Sequence, residues 1–152
     1  MSTSERVSRS NLRQGAIYMM VGLLWGMAVP ETPFPRLALG AHLQLTGHSV
    51  MFLVAGLVIL RLGLGQGRAS RVILLAGPWL TWPLMLSAMA NAWWGAHNIV
   101  PLAAQAAGAR GAAPWQEAVV SGAALLGALV MLLYWGTILS GLFGRPAAAA
   151  EE

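Results

Sequence analysis

GAHLQLTGHSVMFLVAGLVILRLGL, residues 40–64, is the stretch that decides the fold. It contains a single charged residue, Arg61, and it is longer than the roughly 20 apolar residues with which a helix crosses a bilayer core. Polar and apolar residues do not alternate along it, as they would in a half-buried strand. Because a helix satisfies its own backbone hydrogen bonds in lipid, we predict a transmembrane α-helix over residues 41–64.

The same apolar character recurs along the chain, which has 152 residues, 57% of them hydrophobic and 9% charged. Soluble domains carry about 25% charged residues, so this chain lacks the polar surface that a water-soluble fold needs. Residues 1–13 are predicted as a polar N-terminal tail and residues 144–152 as a flexible C-terminal tail. Between them, the sequence predicts an all-α integral membrane protein, a bundle of four transmembrane helices over residues 14–29, 41–64, 72–96 and 115–143.

Arginine placement predicts the orientation in the membrane. All nine basic residues are arginine, and loops rich in basic residues stay in the cytoplasm. Arg36 and Arg110 fall on one side of the predicted bundle, and the other side holds Arg6, Arg9, Arg13, Arg61, Arg68, Arg71 and Arg145. We therefore predict a multi-pass protein of the inner (cytoplasmic) membrane with both termini cytoplasmic. The arginines form no patch interleaved with exposed aromatic residues, so the lipid bilayer is an expected partner and nucleic acid is not.

Ionisable side chains inside a membrane segment are costly and therefore mark candidate sites. The second segment carries His42 and His48, whose six-residue spacing leaves the two rings about 120° apart on an α-helix. One metal ion therefore does not suit both rings. Thr46 and Ser49 share the side of His42, whereas Gln44 lies one turn before His48. This arrangement suits a homo-oligomer in which one face of the helix ligates a cofactor and the other reaches the cofactor of the next subunit.

The histidines also have a structural interpretation. His42 and His48 could be interfacial side chains bonded to loop carbonyls, and His97, next to Asn98, has the position of an interfacial cap. Similarly, Glu117 in the first turn of the fourth helix complements the helix dipole. In favour of a cofactor, the chain has no cysteine, so histidine is the expected ligand for haem iron, which fits between helices of an apolar bundle.

Three motifs connect the chain with a known family. RLALGAHLQLTGHSVMFLVAGLVI (36–59), WWGAHNIVPLAAQ (93–105) and APWQEAVV (113–120) occur in this order around the apolar segments. They resemble the hydroxylaminobenzene mutases and, more distantly, styrene oxide isomerase, in which an Ala-His pair also opens the second helix. The resemblance covers residues 15–141 and implies a small four-helix membrane isomerase, a homotrimer with ferric haem b between its subunits.

Under this resemblance His42 would be the metal ligand, with Gln44, Thr46 and Ser49 as further cofactor-binding candidates. The chain departs from both patterns at His48, where they have asparagine. It also departs from the mutase pattern at Gln44, where that pattern has glutamate. The tyrosine that the epoxide isomerase uses on its third helix has no clear counterpart in the corresponding stretch NAWWG, residues 91–95.

The leading hypothesis is a mutase that rearranges an arylhydroxylamine, a small aromatic substrate, to an aminophenol with ferric haem as Lewis acid. His48 would move the proton lost from the ring carbon, and Asn91 would hydrogen-bond the substrate. Trp93 or Trp94 would stabilise positive charge through a ring face. These four residues are the catalytic candidates.

Three alternatives stay open. An isomerase on the same scaffold could open an aryl epoxide to an aldehyde. A non-enzymatic b-type cytochrome could carry electrons, which requires two axial ligands for each iron. A haem-free bundle could have a structural or transport role, and its purified form would be colourless.

Overall fold

Six α-helices and one short 3-10 turn make up the described part of the chain, residues 1–143 of a computed structural model. Within this range there is no β-strand. The predicted tail over residues 144–152 lies outside the described residues. In chain order the elements are α1 (Thr3–Ala28), the turn Val29–Glu31, α2 (Pro35–Leu62), α3 (Arg68–Leu80), α4 (Trp82–Trp94), α5 (Pro101–Ala106) and α6 (Pro114–Phe143).

The predicted all-α fold with four membrane-length helices is confirmed. Four stretches are long and apolar enough to cross a membrane: Thr3–Glu31, Pro35–Leu62, Arg68–Trp94 and Pro114–Phe143. Large apolar side chains remain exposed on their outer faces, for example Met27 at 78% and Leu132 at 73%. A continuous apolar surface of this kind suits contact with lipid or with another subunit. The homotrimer stays a prediction.

The first helix begins earlier than predicted, so the assignment of residues 1–13 to a tail was wrong. The Ser2 hydroxyl accepts the Glu5 N–H at 3.2 Å, and the Glu5 carboxylate accepts the Ser2 N–H at 2.7 Å. This capping box starts the helix at its third residue. Polar composition suggested solvent exposure, but Val7 and Asn11 are fully buried against the bundle.

The second helix also begins earlier, at Pro35 rather than near residue 41. Proline suits the first position of a helix because an N–H at that position would have no acceptor within the helix. Just before it, Phe34 donates its N–H to the Ala92 carbonyl at 3.1 Å, which ties this end of α2 to the end of α4. His42 therefore lies inside the helix and not in its first turn.

Two helices replace the single third helix predicted over residues 72–96, because α3 and α4 meet at Thr81. Pro78 and Pro83 flank this point, and each removes one backbone N–H from the helical ladder. Membrane helices tolerate such prolines where neighbouring groups satisfy the freed carbonyls. Together α3 and α4 still form one span of 27 residues, Arg68–Trp94.

Side chains of α1 supply the donors that this broken span lacks. Asn11 Nδ2 donates at 3.0 Å to the Leu74 carbonyl, whose helical partner would be the absent N–H of Pro78. The Tyr18 hydroxyl donates to the Pro78 carbonyl at 3.0 Å. The oxygen of the fully buried Asn11 amide accepts the hydroxyl of Tyr134 from α6. Asn11 thus joins α1, α3 and α6 at one end of the bundle.

Glycines on α1 let α2 pack closely against it, as small residues do in membrane bundles. A Cβ at Gly15 would lie 2.8 Å from the Leu53 side chain, and a Cβ at Gly22 would lie 3.0 Å from the Thr46 methyl group. The backbones could not approach to this distance with larger residues in either place. This contact positions the face of α2 that carries His42.

We expect Asn11→Ala to lower the stability of the detergent-purified protein. The change leaves the Leu74 carbonyl and the Tyr134 hydroxyl without a partner, and each unsatisfied buried group costs about 1–3 kcal/mol. The total loss should be about 2–6 kcal/mol, measured as a lower midpoint of thermal unfolding.

Asn98→Ala is the matched control, because the Asn98 side chain is exposed and such surface changes stay within about 0.5 kcal/mol. Equal unfolding midpoints for the two variants would contradict a bridging role for Asn11.

Candidate functional site

A hydrogen bond to α1 fixes the ring of His42. Its Nδ1 lies 2.8 Å from the carbonyl oxygen of Gly22. A carbonyl oxygen can only accept, so Nδ1 carries the proton and Nε2 of the neutral ring keeps its lone pair. Metal-ligating histidines commonly donate their other ring N–H to a backbone carbonyl in this way.

Gly26 makes room for the His42 ring, because a Cβ there would lie 2.9 Å from both Nδ1 and Cε1. The His42 side chain is partly exposed. Among residues 1–143, no group of three or more His, Cys, Asp or Glu side chains could hold a bare metal ion. The tautomer leaves the lone pair of His42 Nε2 available to a metal that has most of its ligands from another source.

Thr46 and Ser49 face α1 together with His42, as their spacing predicted. The Thr46 hydroxyl donates to the His42 carbonyl at 2.9 Å. The Ser49 hydroxyl donates to the Gly15 carbonyl of α1 at 2.7 Å, and the whole residue is buried. The prediction of Ser49 as a cofactor-binding residue needs correction, because a side chain without exposed surface joins the two helices and cannot reach a ligand.

His48 faces a different neighbourhood. Its Nδ1 lies 2.9 Å from the Gln44 carbonyl of its own helix, and its ring centroid lies 6.1 Å from that of Phe52. The predicted divergence of His42 and His48 is therefore confirmed. Because its ring is anchored to its own helix and not to α1, His48 depends less than His42 on how the helices pack.

A cavity of about 110 Å³ lies between α2, α4, α5 and α6. Its polar lining comes from Gln44, Ser87, Asn91 and Arg36, and the remaining lining is apolar. An apolar cavity of roughly 150 Å³ takes up benzene, and this cavity is somewhat smaller. His42 is not part of its lining, because His42 and Gln44 lie on different faces of α2.

Two of the polar lining residues are engaged within the protein. Asn91 Nδ2 donates to the Ala96 carbonyl at 3.2 Å, while its Oδ1 accepts the Ala96 N–H at 2.7 Å. This places Asn91, a predicted catalytic residue, in the cavity wall but uses both ends of its amide to close α4. The Ser87 hydroxyl donates to the Leu84 carbonyl at 2.9 Å.

Gln44 and Arg36 are the lining residues best placed to bind a ligand. Neither side chain makes a hydrogen bond to another residue in the described range, and both are exposed. Gln44 was a predicted site residue, although for the cofactor. Arg36 was considered only for topology, because the second helix was predicted to begin at residue 41. With the helix beginning at Pro35, Arg36 and Gln44 are eight residues apart and lie on neighbouring parts of one helix face.

Trp93 and Trp94, the other predicted catalytic residues, do not line the cavity. The Trp93 ring packs against Trp25 with centroids 5.5 Å apart, and the Trp94 ring packs against Trp115 at 5.2 Å. Both pairs join helix ends at the same end of the bundle. Their positions do not support contact with a ligand in the cavity.

Glu117 does more than complement the helix dipole. Its carboxylate accepts the backbone N–H groups of His97 at 3.0 Å, Asn98 at 3.1 Å and Ala112 at 3.1 Å. His97 Nδ1 adds an ion-pair contact at 2.9 Å. The carboxylate thus holds both ends of the connection that contains α5, and this connection covers one side of the cavity through Val100 and its neighbours.

Glu117→Gln is expected to loosen the connection over residues 95–113. Hydrogen bonds to a charged group contribute about 1.5–3 kcal/mol, so loss of the charge should raise local opening by about 10-fold or more. Hydrogen–deuterium exchange of peptides from this connection measures the change.

Glu31→Gln makes the same charge change at the same end of the bundle, on an exposed residue, and should leave that exchange unaltered. Unchanged exchange in both variants would argue against Glu117 as the clamp.

Comparison with known proteins adds an independent finding. The family model for styrene oxide isomerase matches residues 7–143. Comparisons with curated proteins and with solved structures find no match. The matched range includes His42, the cavity between α2, α4, α5 and α6, and Glu117 with the backbone groups it binds. Because this match covers most of a chain that has four helices long and apolar enough to cross a membrane, the chain belongs to the styrene oxide isomerase family.

Proposed function

We propose that the protein is a membrane isomerase that opens an aryl epoxide to the corresponding aldehyde. The observation that carries this proposal is the match to the styrene oxide isomerase family over residues 7–143. The cavity supports it, since its lining is largely apolar and suits an aromatic substrate. Sequence motifs alone had favoured the mutase reaction, and the family match favours the epoxide reaction instead.

The epoxide reaction needs few groups from the protein. The bond between oxygen and the benzylic carbon breaks, and positive charge develops on that carbon. A hydrogen then migrates with its electron pair from the neighbouring carbon, whose oxygen becomes the aldehyde. No atom enters or leaves, so the protein must orient the ring and exclude water, which would otherwise add to the cation. The apolar lining of the cavity suits both tasks, and Gln44 can hydrogen-bond the epoxide oxygen.

We propose that His42 would hold the iron of a b-type haem. The support is the Nδ1 contact to the Gly22 carbonyl at 2.8 Å, which leaves Nε2 available, and the space that Gly26 provides. When bound, ferric haem supplies a Lewis acid that weakens the carbon–oxygen bond. The role of His42 and Gly22 is to hold the ring in one tautomer and one orientation.

The opposite faces of α2 support an oligomer. His42 contacts α1, whereas Gln44 lines the cavity. Within one chain, α2 therefore separates the His42 ring from the cavity. We propose that the His42-bound cofactor of one subunit serves the cavity of its neighbour in a homotrimer. Both termini would be cytoplasmic in the inner membrane, since Arg6, Arg61 and Arg68 lie at the end of the bundle opposite Arg36.

A second candidate function is the rearrangement of an arylhydroxylamine to an aminophenol. It is favoured by a departure from the epoxide isomerase pattern: the span Arg68–Trp94 contains no tyrosine. This reaction removes a proton from a ring carbon, which the epoxide reaction does not. His48 would be the base, since a neutral imidazole accepts a proton, although its side chain is not part of the cavity lining.

His42→Ala is expected to remove most of the bound haem. The purified wild-type protein should show a Soret band that shifts when substrate is added, while the variant should lose the band because the iron has no protein ligand. Absorption spectra and the haem-to-protein ratio measure this in detergent. His97→Ala, which changes a histidine outside the proposed site, is the control and should retain haem. Full haem content and an unchanged Soret band in His42→Ala would refute the ligand assignment, and a low-spin spectrum insensitive to substrate would indicate an electron carrier.

Styrene oxide and phenylhydroxylamine, given separately to membranes that contain the protein, distinguish the two reactions. We expect conversion of the epoxide to phenylacetaldehyde. His48→Asn, which restores the residue of the related patterns, should leave epoxide turnover near the wild-type rate. If the protein is a mutase, only the hydroxylamine will react, and loss of the base should slow that reaction by about 10²–10⁴-fold.

A further inference from the structure

Three arginines lie along one face of the first turns of α1. Arg6, Arg9 and Arg13 are spaced by three and four residues, which places them within an arc of about 60° on the helix. All three are exposed. The opposite face of the same turns carries Val7 and Asn11, which are buried in the bundle, so the arginines point away from it.

No described carboxylate neutralises these arginines. The ion pair between His97 and Glu117 is the one found within residues 1–143, and it lies at the other end of the bundle. Glu5 is the nearest carboxylate in the sequence, but it caps the helix by accepting the Ser2 N–H at 2.7 Å. Within residues 1–143, no carboxylate oxygen lies within 4.0 Å of these three guanidinium groups, and one exposed carboxylate, Glu5, stands beside three arginines. The face therefore keeps a net positive charge.

The arginines border a hollow of about 300 Å³ between α1 and α3, whose lining is Met1, Arg6, Arg9, Ser10, Arg13 and Leu75. Most of this lining is polar, with Leu75 of α3 as an apolar wall. Guanidinium groups bind phosphate through paired N–H donors. The hollow thus offers a phosphate several donors on one side and an apolar surface on the other.

The position along α1 matches the headgroup layer of a membrane. The helix has 26 residues and is therefore about 39 Å long, whereas the hydrocarbon core is about 30 Å thick. The excess of about 9 Å corresponds to about six residues and brings Arg6 and Arg9 to the edge of the core. The long Arg13 side chain reaches the same level by extending toward the N-terminus of the helix. Basic pockets next to transmembrane helices at this depth bind anionic lipid headgroups.

The same face of α1 continues as an exposed apolar strip below the arginines. Ile17, Met20 and Leu24 share the angular position of Arg6 and Arg13, and their exposed fractions are 40%, 61% and 60%. A free phosphate ion would use the arginines alone. A phospholipid would use both parts, with its phosphate on the arginines and its acyl chains along the strip.

We propose that Arg6, Arg9 and Arg13 form a binding site for the phosphodiester headgroup of an anionic phospholipid. This site is separate from the cavity and does not depend on the reaction the protein performs. Its selectivity comes from charge, because each arginine near an anionic surface contributes about a five-fold preference.

The test measures how much phosphatidylglycerol and phosphatidylcholine the delipidated, detergent-purified protein binds at equal concentrations, by native mass spectrometry. We expect wild type to prefer phosphatidylglycerol. The triple variant Arg6→Gln, Arg9→Gln, Arg13→Gln should lose that preference by about 100-fold if the three contributions of about five-fold multiply. The single variant Arg9→Gln should lose about five-fold and serves if the triple variant does not fold.

The matched control removes the same charge at the same end of the bundle with Arg61→Gln, Arg68→Gln and Arg71→Gln, and it should keep the preference. An equal loss in both triple variants would mean general attraction of anions and would overturn the site. Equal binding of the two lipids by wild type would also overturn it. Displacement of phosphatidylglycerol by an equal concentration of inorganic phosphate would assign the arginines to a free anion and overturn the lipid proposal.

Discussion

The close contact between α1 and α2 is the constraint on which the rest of the structure depends. Gly15 and Gly22 lack the side chains that would hold the helices apart, and the backbone carbonyls they expose become partners for α2. The Gly22 carbonyl fixes the tautomer of His42 at 2.8 Å. Close packing of small residues, which is common between membrane helices, thus also fixes the orientation of the His42 ring, so a change at this contact would act on fold and proposed site together.

Polar side chains inside the bundle serve backbone groups that the helices leave unpaired. Asn11 donates a hydrogen bond to the Leu74 carbonyl, whose helical partner would be the N–H that Pro78 lacks. Glu117 accepts backbone N–H groups from both ends of the connection before α6. Inside a span, water cannot reach the carbonyl that Asn11 binds, so leaving it unpaired is costly. The two side chains therefore stabilise opposite ends of the bundle, and Glu117 also covers the cavity proposed for substrate.

Much of the fold could be predicted from the sequence, but less of the site. Four spans follow from runs of apolar residues, and the divergence of His42 and His48 follows from helical periodicity alone. The tail over residues 1–13 was wrong because local polarity does not reveal that Asn11 has a buried partner 63 residues away. For the same reason spacing placed Ser49 on the correct face but could not show that α1 covers it completely.

The sequence by itself determined that this chain is a four-span helical membrane protein with two divergent histidines on its second span, since hydropathy and helical spacing are local properties. Only the tertiary structure decided which groups these residues meet. In that structure Nδ1 of His42 contacts the Gly22 carbonyl oxygen. Gln44 and Arg36 line one cavity, and Trp93 and Trp94 lie outside its lining. Except for Gln44 and Arg36, which share α2, these arrangements involve residues distant in the chain and depend on how helices approach one another, which no local pattern of residues encodes.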